Sequence, residues 1–483
     1  MPLLCHIGKQ LAALACLFPT LCYAQEQADY SKGGLFVLNE DWYGHQNSTL
    51  NWLSDDGTWT YRAFQKANTD TELGCTACFG SIHEGNLYIV SKQSKDPGAD
   101  LAGGRLTVCN AQTLEVLKQH PLIADAGTGN PIDGRAFLGI DSEKAYVSTN
   151  NGIYLYDLKA QQFGPQIQGS GNPNDDEYGS TYRGQTGKML LVGDTVYAIH
   201  QSAGLLLIDP RSDQVIRTLQ APNDGGIQRG FGSIVLSKDN FLWISVAADT
   251  QGNGSTAPYL LRLNPQNGDT LRINLPEEVH APSNSWYAWT PDSFCASEQE
   301  NTLYWSGSPD RWFSGYQVFQ YDIDTKTFRC LIDLTESGWK IYGCSMGIHP
   351  QTDEIYLSLH HDVSTPTYIV RRYDNRGTML QEYAMIEHYW FPGMFIFPET
   401  EGTHTGIHAP ETAKTTALYA DGSLTLTEAD GAECSILNIE GREMERFVCR
   451  TSSYTRPISL PSGIYILRIA TPQGLQSIKI RVP

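Results

Sequence analysis

A unit of three strand-like segments recurs seven times along this chain of 483 residues. In each unit an apolar segment is followed by a polar loop and a second apolar segment that ends near an Asp or Asn. A turn and a third strand-like segment complete the unit. Repetition at roughly fifty residues, with alternating β-branched and aromatic residues and Gly, Asn, Asp and Pro turns, is typical of a β-propeller. We therefore predict an all-β chain with a seven-bladed β-propeller followed by a small C-terminal β-sandwich.

An Asp or Asn residue lies at the end of the second apolar segment of every repeat. Asx side chains accept hydrogen bonds from backbone amides that follow them, and so form turns. We assign this turn-forming role to Asp55, Asn110, Asp157, Asp209, Asn264, Asp322 and Asp374.

The first and last repeats leave a strand missing at one end and a strand in excess at the other. The first repeat begins at Gly34 with LFVLN and lacks the segment rich in small residues that opens later repeats. An additional apolar segment, Trp390–Glu399, follows the last repeat. Pairing the two would close the ring and remove exposed strand edges. We predict that N-terminal and C-terminal strands share one blade of a propeller that spans residues 30–399.

The N-terminal residues 1–24 have the composition of a secretory signal peptide. Lys9 precedes a short apolar core at Leu11–Leu21, and small residues come before Gln25. This pattern predicts export, with lipidation at Cys16 as the alternative mode of anchoring. Since no later apolar run reaches the length of a bilayer, we predict no transmembrane segment.

Residues 400–416 are rich in Gly, Thr, His and Pro and predict a linker. The following residues, 417–483, predict the C-terminal β-sandwich and resemble the C-terminal sorting tail of the type IX secretion system of Bacteroidetes. The matching elements are Leu437–Arg442, Gly463–Tyr465 and Lys479–Val482. The resemblance implies a sorting domain that takes the protein across the outer membrane. A β-sandwich with a purely structural role is the alternative.

Charge and motif content argue against several function classes. The chain has 34 basic and 53 acidic residues and a formal net charge of −19, so we expect no nucleic-acid partner. The H-E-x-x-H motif does not occur, and the G-x-S-x-G match at Gly343–Gly347 falls in the strand-like segment GCSMGIHP rather than in a strand-to-helix elbow. The adjacent His360 and His361 would point to opposite faces of a strand. We therefore predict no catalytic residues, no metal and no cofactor, and expect that the protein is not an enzyme.

Eight of the 11 cysteines follow the predicted signal peptide. In an exported protein they would meet an oxidising compartment, in which disulfides persist. Cys434 and Cys449 flank a predicted hairpin and are a candidate pair. Cys75 and Cys78 form a C-T-A-C motif, but no second CxxC completes a tetrahedral zinc site.

Most of the ten tryptophans fall in loops that the propeller would place at one end of the ring. Exposed aromatic residues interleaved with Arg and Gln are typical of a surface that binds a large, partly apolar ligand. Packing inside the blades is the alternative role of each aromatic residue. The predicted ligand-binding residues are Trp42, Tyr43, His45, Arg135, Gln201, Arg229, Trp286, Trp289, Arg311, Trp312, Trp339, Tyr342 and Trp390.

The propeller region resembles the YncE-like surface propellers of Bacteroidetes, which include the BtuG-type cobalamin-binding proteins. The segments that carry this resemblance are Gly34–Leu53, Asp133–Ile140, Asn151–Asp157, Trp286–Ser297, Asp353–Leu359 and Tyr389–Glu399. The resemblance implies a protein of the cell exterior or outer-membrane surface that captures cobalamin (vitamin B12) or related corrinoids. It also implies transfer of the corrinoid, a ligand rather than a cofactor, to a TonB-dependent outer-membrane transporter.

An aromatic surface with amide and guanidinium donors is compatible with a corrinoid, which is wide, amphipathic and fringed with amides. Sugars and peptides also bind such surfaces. A glycan- or peptide-binding adhesion propeller without corrinoid affinity is therefore the alternative function.

Overall fold

The computed structural model describes a chain that is almost entirely β-strand. The described residues are 28–124, 132–173, 183–221, 223–224, 226–249, 254–282, 293–307, 314–362, 364–398, 416–420, 422–427, 429–438, 442–471 and 474–482. The all-β prediction is confirmed. The predicted signal peptide and nearly all of the predicted linker lie outside the described residues.

Seven antiparallel sheets lie between residues 34 and 396 of the described chain. The strands that begin this region are β1 (Gly34–Asn39), β2 (Thr49–Ser54), β3 (Trp59–Thr60), β4 (Cys75–His83), β5 (Asn86–Gln93), β6 (Leu106–Asn110) and β7 (Val116–His120), with helix α1 (Ala63–Ala67) after β3. The next two sheets contain β8 (Gly134–Gly139), β9 (Lys144–Thr149), β10 (Gly152–Asp157), β11 (Gln162–Gln166), β12 (Thr186–Val192), β13 (Thr195–His200), β14 (Gly204–Asp209) and β15 (Gln214–Leu219).

The remaining sheets of this region follow in the same order along the chain. The fifth contains β16 (Asn223–Asp224), β17 (Ile227–Gly230), β18 (Ile234–Leu236), β19 (Leu242–Asp249), β20 (Gly254–Leu263) and β21 (Thr270–Asn274). The strands that complete the region are β22 (Cys295–Ala296), β23 (Thr302–Gly307), β24 (Ser314–Gly315), β25 (Gln317–Asp322), β26 (Thr327–Asp333), β27 (Lys340–Ile348), β28 (Ile355–His360), β29 (Ile369–Tyr373), β30 (Met379–Ala384) and β31 (Pro392–Ile396), with a 3-10 turn at Thr335–Ser337.

The first sheet joins the two ends of this region. Its strand order is β3-β2-β1-β31, and β1 is antiparallel to both β2 and β31. The register places Phe36 opposite Ile396 and Val37 opposite Phe395. The segment predicted to complete the first repeat thus pairs with β1.

The innermost strands of the seven sheets contact one another in sequence. In chain order these contacts join β4, β8, β12, β18, β22, β27 and β31, and β31 contacts β4 in turn. The cycle of contacts brings sheets face to face around a common centre, which is the arrangement of a β-propeller. Space there is limited: a Cβ on Gly139 would lie 2.3 Å from the His83 ring, and one on Gly80 would lie 2.3 Å from Ile396 Cδ1.

Burial decreases from the centre of the ring outwards. Inner and middle strands such as β1 and β28 are buried on both faces because each sheet is covered by two neighbours. The outermost strands are mainly exposed: β15 has half-buried residues among exposed ones, and β30 is exposed at all positions but one. The hydrophobic core is therefore a series of layers between adjacent sheets.

The Asx turns after the second strand of the repeats are confirmed in six of the seven positions. Asn110 Oδ1 accepts hydrogen bonds from the amides of Gln112 and Thr113, both at 2.9 Å. Equivalent bonds are formed by Asp157, Asp209, Asn264, Asp322 and Asp374. In the first repeat the turn is made by Asp56, whose Oδ1 accepts from the Thr58 amide at 2.9 Å, and not by Asp55 as predicted.

Two further antiparallel sheets form the C-terminal part of the chain. One contains β32 (Thr416–Ala420), β33 (Ser423–Thr427) and β36 (Ser453–Pro457) in the order β32-β33-β36. The other contains β34 (Glu433–Leu437), β35 (Glu443–Val448), β37 (Gly463–Thr471) and β38 (Gly474–Val482) in the order β35-β34-β37-β38. Side chains of both sheets share one hydrophobic cluster, which includes Leu424, Leu426 and Leu467. Among the described residues, no helix is long and apolar enough to cross a membrane.

The pairing of β1 with β31 predicts a large stability effect at Phe395. This side chain is buried in the cluster that also contains Val37, so Phe395→Ala should destabilise the fold by about 3–5 kcal/mol. Leu380→Ala, at an exposed position of β30, is the control and should change stability by less than about 0.5 kcal/mol. Thermal unfolding followed by tryptophan fluorescence measures both, and equal midpoints for the two variants would contradict a closing role for β31.

Candidate functional site

One end of the ring contains the loops that precede inner strands and the loops that join middle strands. Because neighbouring strands are antiparallel, the end of β1, the start of β2 and the start of β31 share this end. The pairing of Cys75 with Gln93 places the start of β4 and the end of β5 there too. We call this side of the ring the loop end.

Three predicted site residues meet at the loop end. The rings of Trp42 and His45 have centroids 4.9 Å apart, and that of Trp390 lies 5.7 Å from Trp42 and 5.6 Å from His45. Tyr43 is 54% exposed beside them, whereas Trp390 is 8% exposed. We call Trp42, Tyr43, His45 and Trp390 the aromatic patch. The half-buried Trp42 and the exposed His45 both contact the buried Trp390 ring, which supports this apolar surface.

The closing strands build this patch. The amides of Glu40 and Asp41 donate to the carbonyls of Phe391 (2.9 Å) and Trp390 (3.2 Å). Asp41, His388 and Phe391 adopt left-handed backbone conformations, with φ of 59°, 74° and 52°. A left-handed backbone conformation is unfavourable for residues other than glycine. It persists where the surrounding structure restrains it, often at functional sites. Hydrogen bonds between the two segments supply that restraint here.

A second aromatic layer, with half-buried Phe391 and buried Tyr342 and His360, lies under the patch. The Phe391 ring contacts Trp42 and lies 5.0 Å from the ring of Tyr342. The Tyr342 hydroxyl donates to Glu40 Oε2 at 3.1 Å. Burial lowers the pKa of His360, whose ring contacts Tyr342, to about 4, so its imidazole is neutral near pH 7. Tyr342, a predicted site residue, thus lies beneath the patch.

Asp96 of the neighbouring sheet fixes the loop that contains the patch. It lies in the loop between β5 and β6 and is fully buried. Its carboxylate accepts hydrogen bonds from the amides of Gly44 (2.8 Å) and Gly98 (2.7 Å), while its own amide donates to Asn47 Oδ1 at 2.8 Å. The position of Tyr43 and His45 therefore depends on a residue of the next sheet.

Asp41 is the buried acid of the same loop. Thr49 donates to its Oδ2 at 2.7 Å and Gln46 donates to its Oδ1 at 2.8 Å. Burial is the largest influence on this group and raises its pKa to about 8, although both hydrogen bonds act in the opposite direction. The Asp41 carboxyl is therefore mainly protonated at neutral pH.

Three other predicted residues lie in a buried polar arc of the loop end rather than in the patch. Arg135 is 0% exposed, and its Nε donates to Gln185 Oε1 at 2.7 Å. The backbone amide of Gln185 donates to Gln201 Oε1 at 3.5 Å. Arg229, also buried, lies on β17 opposite Asp249. All three side chains are buried, and the hydrogen bonds through Gln185 link Arg135 of β8 to Gln201, which follows β13.

Lys92 and Arg105 add positive charge to this arc. Lys92 Nζ lies 3.7 Å from Glu40 Oε1, and Arg105 bonds Asp133 Oδ1 at 2.7 Å. Each buried cation thus has an acidic neighbour, which limits the cost of its burial.

In the described part of the chain, the buried Trp390 Nε1 has no hydrogen-bond partner. A buried unpaired donor costs about 1–3 kcal/mol, so this N–H is a candidate donor to a bound group.

Trp339 directly precedes β27 but lies outside the aromatic patch. Trp339 stacks on His361 with ring centroids 3.7 Å apart, and the Arg371 guanidinium lies 5.4 Å above its ring. Trp286, Trp289, Arg311 and Trp312 lie outside the described residues. The structure therefore brings the rings of Trp42, His45 and Trp390 together, with the exposed Tyr43 next to Trp42 in the chain and Tyr342 in the layer that contains Phe391.

Sequence reasoning missed Asp41, Asp96 and Phe391 as site-forming residues. Asp41 directly precedes Trp42 in the quoted motif, so its place near the patch was detectable. Asp96 is one of many acidic residues in loops and had no distinguishing signal.

Burial raises the pKa values of both thiols of the C-T-A-C motif, Cys75 and Cys78, to about 12. No group of three or more metal-ligating side chains occurs among the residues that the structure describes.

The cycle of antiparallel sheets defines this region as a β-propeller, an all-β class of protein. Residues 33–398 match the sequence model of the family described as "Domain of unknown function (DUF5074)". The chain belongs to that family. No curated protein matches it.

Solved structures with similar folds are distant in sequence. PorZ, an essential bacterial surface component of the type-IX secretion system of Porphyromonas gingivalis, is 11% identical with a TM-score of 0.46. The alignment covers 91% of this chain and 63% of PorZ, so the chain spans less than two thirds of the PorZ chain. AztD of Citrobacter koseri is 10% identical, with a TM-score of 0.41 and coverage of 88% and 99%. BamB of Moraxella catarrhalis is 12% identical, with a TM-score of 0.33 and coverage of 83% and 95%.

Loss of the Asp96 carboxylate should loosen the patch loop. Asp96→Ala removes the buried carboxylate that accepts part-buried hydrogen bonds from the amides of Gly44 and Gly98, at a cost of about 1–3 kcal/mol. We expect a lower melting temperature and faster hydrogen exchange of the Gly44 amide. Asp100→Ala, an exposed acid of the same loop, is the control. Unchanged Gly44 exchange in a folded Asp96→Ala variant would refute the positioning role.

Asp41 should make stability depend on pH. An unfolded Asp titrates near pH 3.9, and the folded value is about 8. Between these values the native state binds more protons, so stability falls as pH rises from about 4 to about 8 and is level above that. Asp41→Asn, which mimics the neutral acid, removes this loss. Its melting temperature should gain on that of the wild type between pH 5 and pH 8, whereas parallel profiles would show that Asp41 is ionised throughout.

Proposed function

We propose that this chain is a non-enzymatic binding protein that captures cobalamin or a related corrinoid with the loop end of a seven-bladed β-propeller. The cycle of contacts through seven innermost strands supports the number of blades. The aromatic patch supports the binding role and carries the proposal. The resemblance to BtuG-type propellers supplies the ligand class.

The patch has the chemistry that a corrinoid requires. A corrin ring presents a broad apolar face, and the exposed rings of Tyr43 and His45 with Trp42 can cover such a face. The amide fringe of a corrinoid supplies acceptors, and the unpaired Trp390 N–H is a donor at the base of the patch. Because Arg135, Gln201 and Arg229 are buried, we propose that they support the strands of the loop end rather than contact the ligand.

A rigid site suits capture. The patch loop is held by Asp96, by the carbonyls of Phe391 and Trp390 and by the Gln46 side chain, which also donates to the His388 carbonyl at 3.1 Å. A surface that is ordered before binding loses less conformational entropy when the ligand arrives. We infer that most of the affinity comes from a preformed surface.

The terminal segments support the proposed location, and the resemblance to BtuG-type propellers supports the proposed partner. We propose that residues 1–24 direct export and that residues 417–483, a small β-sandwich, act as a sorting domain after a linker at 400–416. The propeller, residues 30–399, would then act outside the cell or at the outer-membrane surface. A TonB-dependent outer-membrane transporter is the proposed acceptor of the corrinoid.

Calorimetric titration of the full chain with cyanocobalamin tests this function. We expect one-to-one binding in the wild type and a loss of at least roughly 30-fold in affinity for Tyr43→Ala combined with His45→Ala, equivalent to about 2 kcal/mol at a central contact. Ile216→Ala, which removes an exposed apolar side chain on the outer strand β15, should bind as the wild type does.

The outcomes separate the two ligand classes. Binding of glycans or peptides, with no heat from cyanocobalamin at high concentration, would replace the corrinoid proposal by the adhesion alternative. Corrinoid binding that survives in the folded double variant would leave the function standing and reject the aromatic patch as its site.

A further inference from the structure

Two buried thiols face each other in the C-terminal sheets. Cys434 lies on β34 and Cys449 follows β35, and each is 1% exposed. Their Sγ atoms are 3.7 Å apart, and both side chains belong to the hydrophobic cluster of these sheets. Both cysteines are free thiols.

The strand register explains this proximity. β34 and β35 are antiparallel, with Cys434 opposite Phe447, and the Cys449 amide donates to the Ala432 carbonyl at 2.9 Å. Residues two apart on a strand point to the same face, so Cys449 is the diagonal neighbour of Cys434 on the core side. An S–S bond is about 2.05 Å long, so the sulfurs need to approach by about 1.7 Å.

We propose that Cys434 and Cys449 are an oxidisable pair that forms an intramolecular disulfide and thereby fastens β35 to β34. The oxidant is a disulfide, of a protein or of a small thiol compound. One cysteine attacks that disulfide as a thiolate, which forms a mixed disulfide and releases one thiol of the oxidant. The partner thiolate then attacks the cysteine sulfur of the mixed disulfide and releases the second thiol. Overall two thiols lose two protons and two electrons, and the oxidising disulfide becomes two thiols.

The bridge would act on an edge strand. Within the described part of the sheet, β35 pairs with β34 alone, since the order is β35-β34-β37-β38. Edge strands are held by one row of hydrogen bonds and open more readily than central ones. A covalent link from the end of β35 to the neighbouring strand therefore restrains the least supported strand of this sheet.

Other described cysteines have different surroundings. Cys75 Sγ contacts Asp96 Oδ2 at 3.5 Å, and Cys78 Sγ lies near backbone carbonyls, including that of Arg135 at 3.4 Å. Cys330 is exposed. Among the described sulfur contacts, Cys434 with Cys449 is the one between two thiols.

Burial should control when the bridge forms. Burial raises the pKa of the Cys434 thiol to about 12, with a further contribution from Cys449, so few thiolates exist in the folded reduced protein. Both sulfurs are also shielded from a bulky oxidant. We expect oxidation during folding, while the hairpin is still open, and slow oxidation afterwards.

Peptide mapping of the full chain tests the proposal. Protein refolded with oxidised and reduced glutathione is unfolded without reductant, alkylated and digested. We expect a disulfide-linked peptide that joins Cys434 to Cys449, while Cys330 is alkylated and serves as an internal standard. Reduced folded protein exposed to the same glutathione mixture should form the link at least roughly tenfold more slowly.

Two variants and one further readout complete the test. In Cys434→Ser the link should be absent and Cys449 alkylated, and Cys449→Ser should give the converse. Amide exchange in β35 of the wild type should slow on oxidation by roughly tenfold or more. Complete alkylation of both cysteines after oxidative refolding, or linkage of either to another cysteine, would overturn the proposal whether or not the variants fold.

Discussion

The pairing of β1 with β31 is the interaction on which the rest of this structure depends. It joins residues that are 360 positions apart, such as Phe36 and Ile396, and so converts a row of sheets into a closed cycle. Closing such a long loop costs entropy that must be recovered by packing, here by the cluster that contains Val37, Phe395 and Tyr356. The same pairing brings the chain segments after β1 and before β31 together, and the aromatic patch is made of those two segments. The strand pairing that closes the ring therefore also brings the residues of the aromatic patch together.

The loop end combines this closure with contacts between adjacent sheets. Asp96, in a loop of the second sheet, accepts a hydrogen bond from Gly44 in the patch loop of the first sheet. Tyr342, on β27 of a later sheet, donates a hydrogen bond to Glu40 of the same loop. Buried charges in the arc, such as Arg105 with Asp133, are paired and so tolerate the low dielectric around them. The chain as a whole is strongly acidic, yet this end carries several buried cations. A surface supported in this way is ordered before any ligand arrives, which suits the proposed capture.

Much of the architecture was accessible from the sequence because a propeller repeats its strand pattern. The second strands, their Asx turns and the pairing partner of β1 all follow from alternation and turn residues. The position of Asp56 was missed since two adjacent acids, Asp55 and Asp56, satisfy the same pattern. Part of the patch was also accessible, because Trp42, Tyr43 and His45 stand together in one loop. Burial of Arg135 and Gln201 was not, since it results from packing between sheets that strand periodicity does not encode. The same holds for Asp96, whose role depends on a loop of another sheet.

Hydrogen exchange of the wild-type chain with and without saturating cyanocobalamin is the most direct test of the central claim, that the closing strands form the binding site. We expect corrinoid to slow amide exchange in residues 36–46 and 388–396 and to leave the outer strands β15 and β30 unchanged. Protection confined to other parts of the ring, or no change anywhere at ligand saturation, would contradict it.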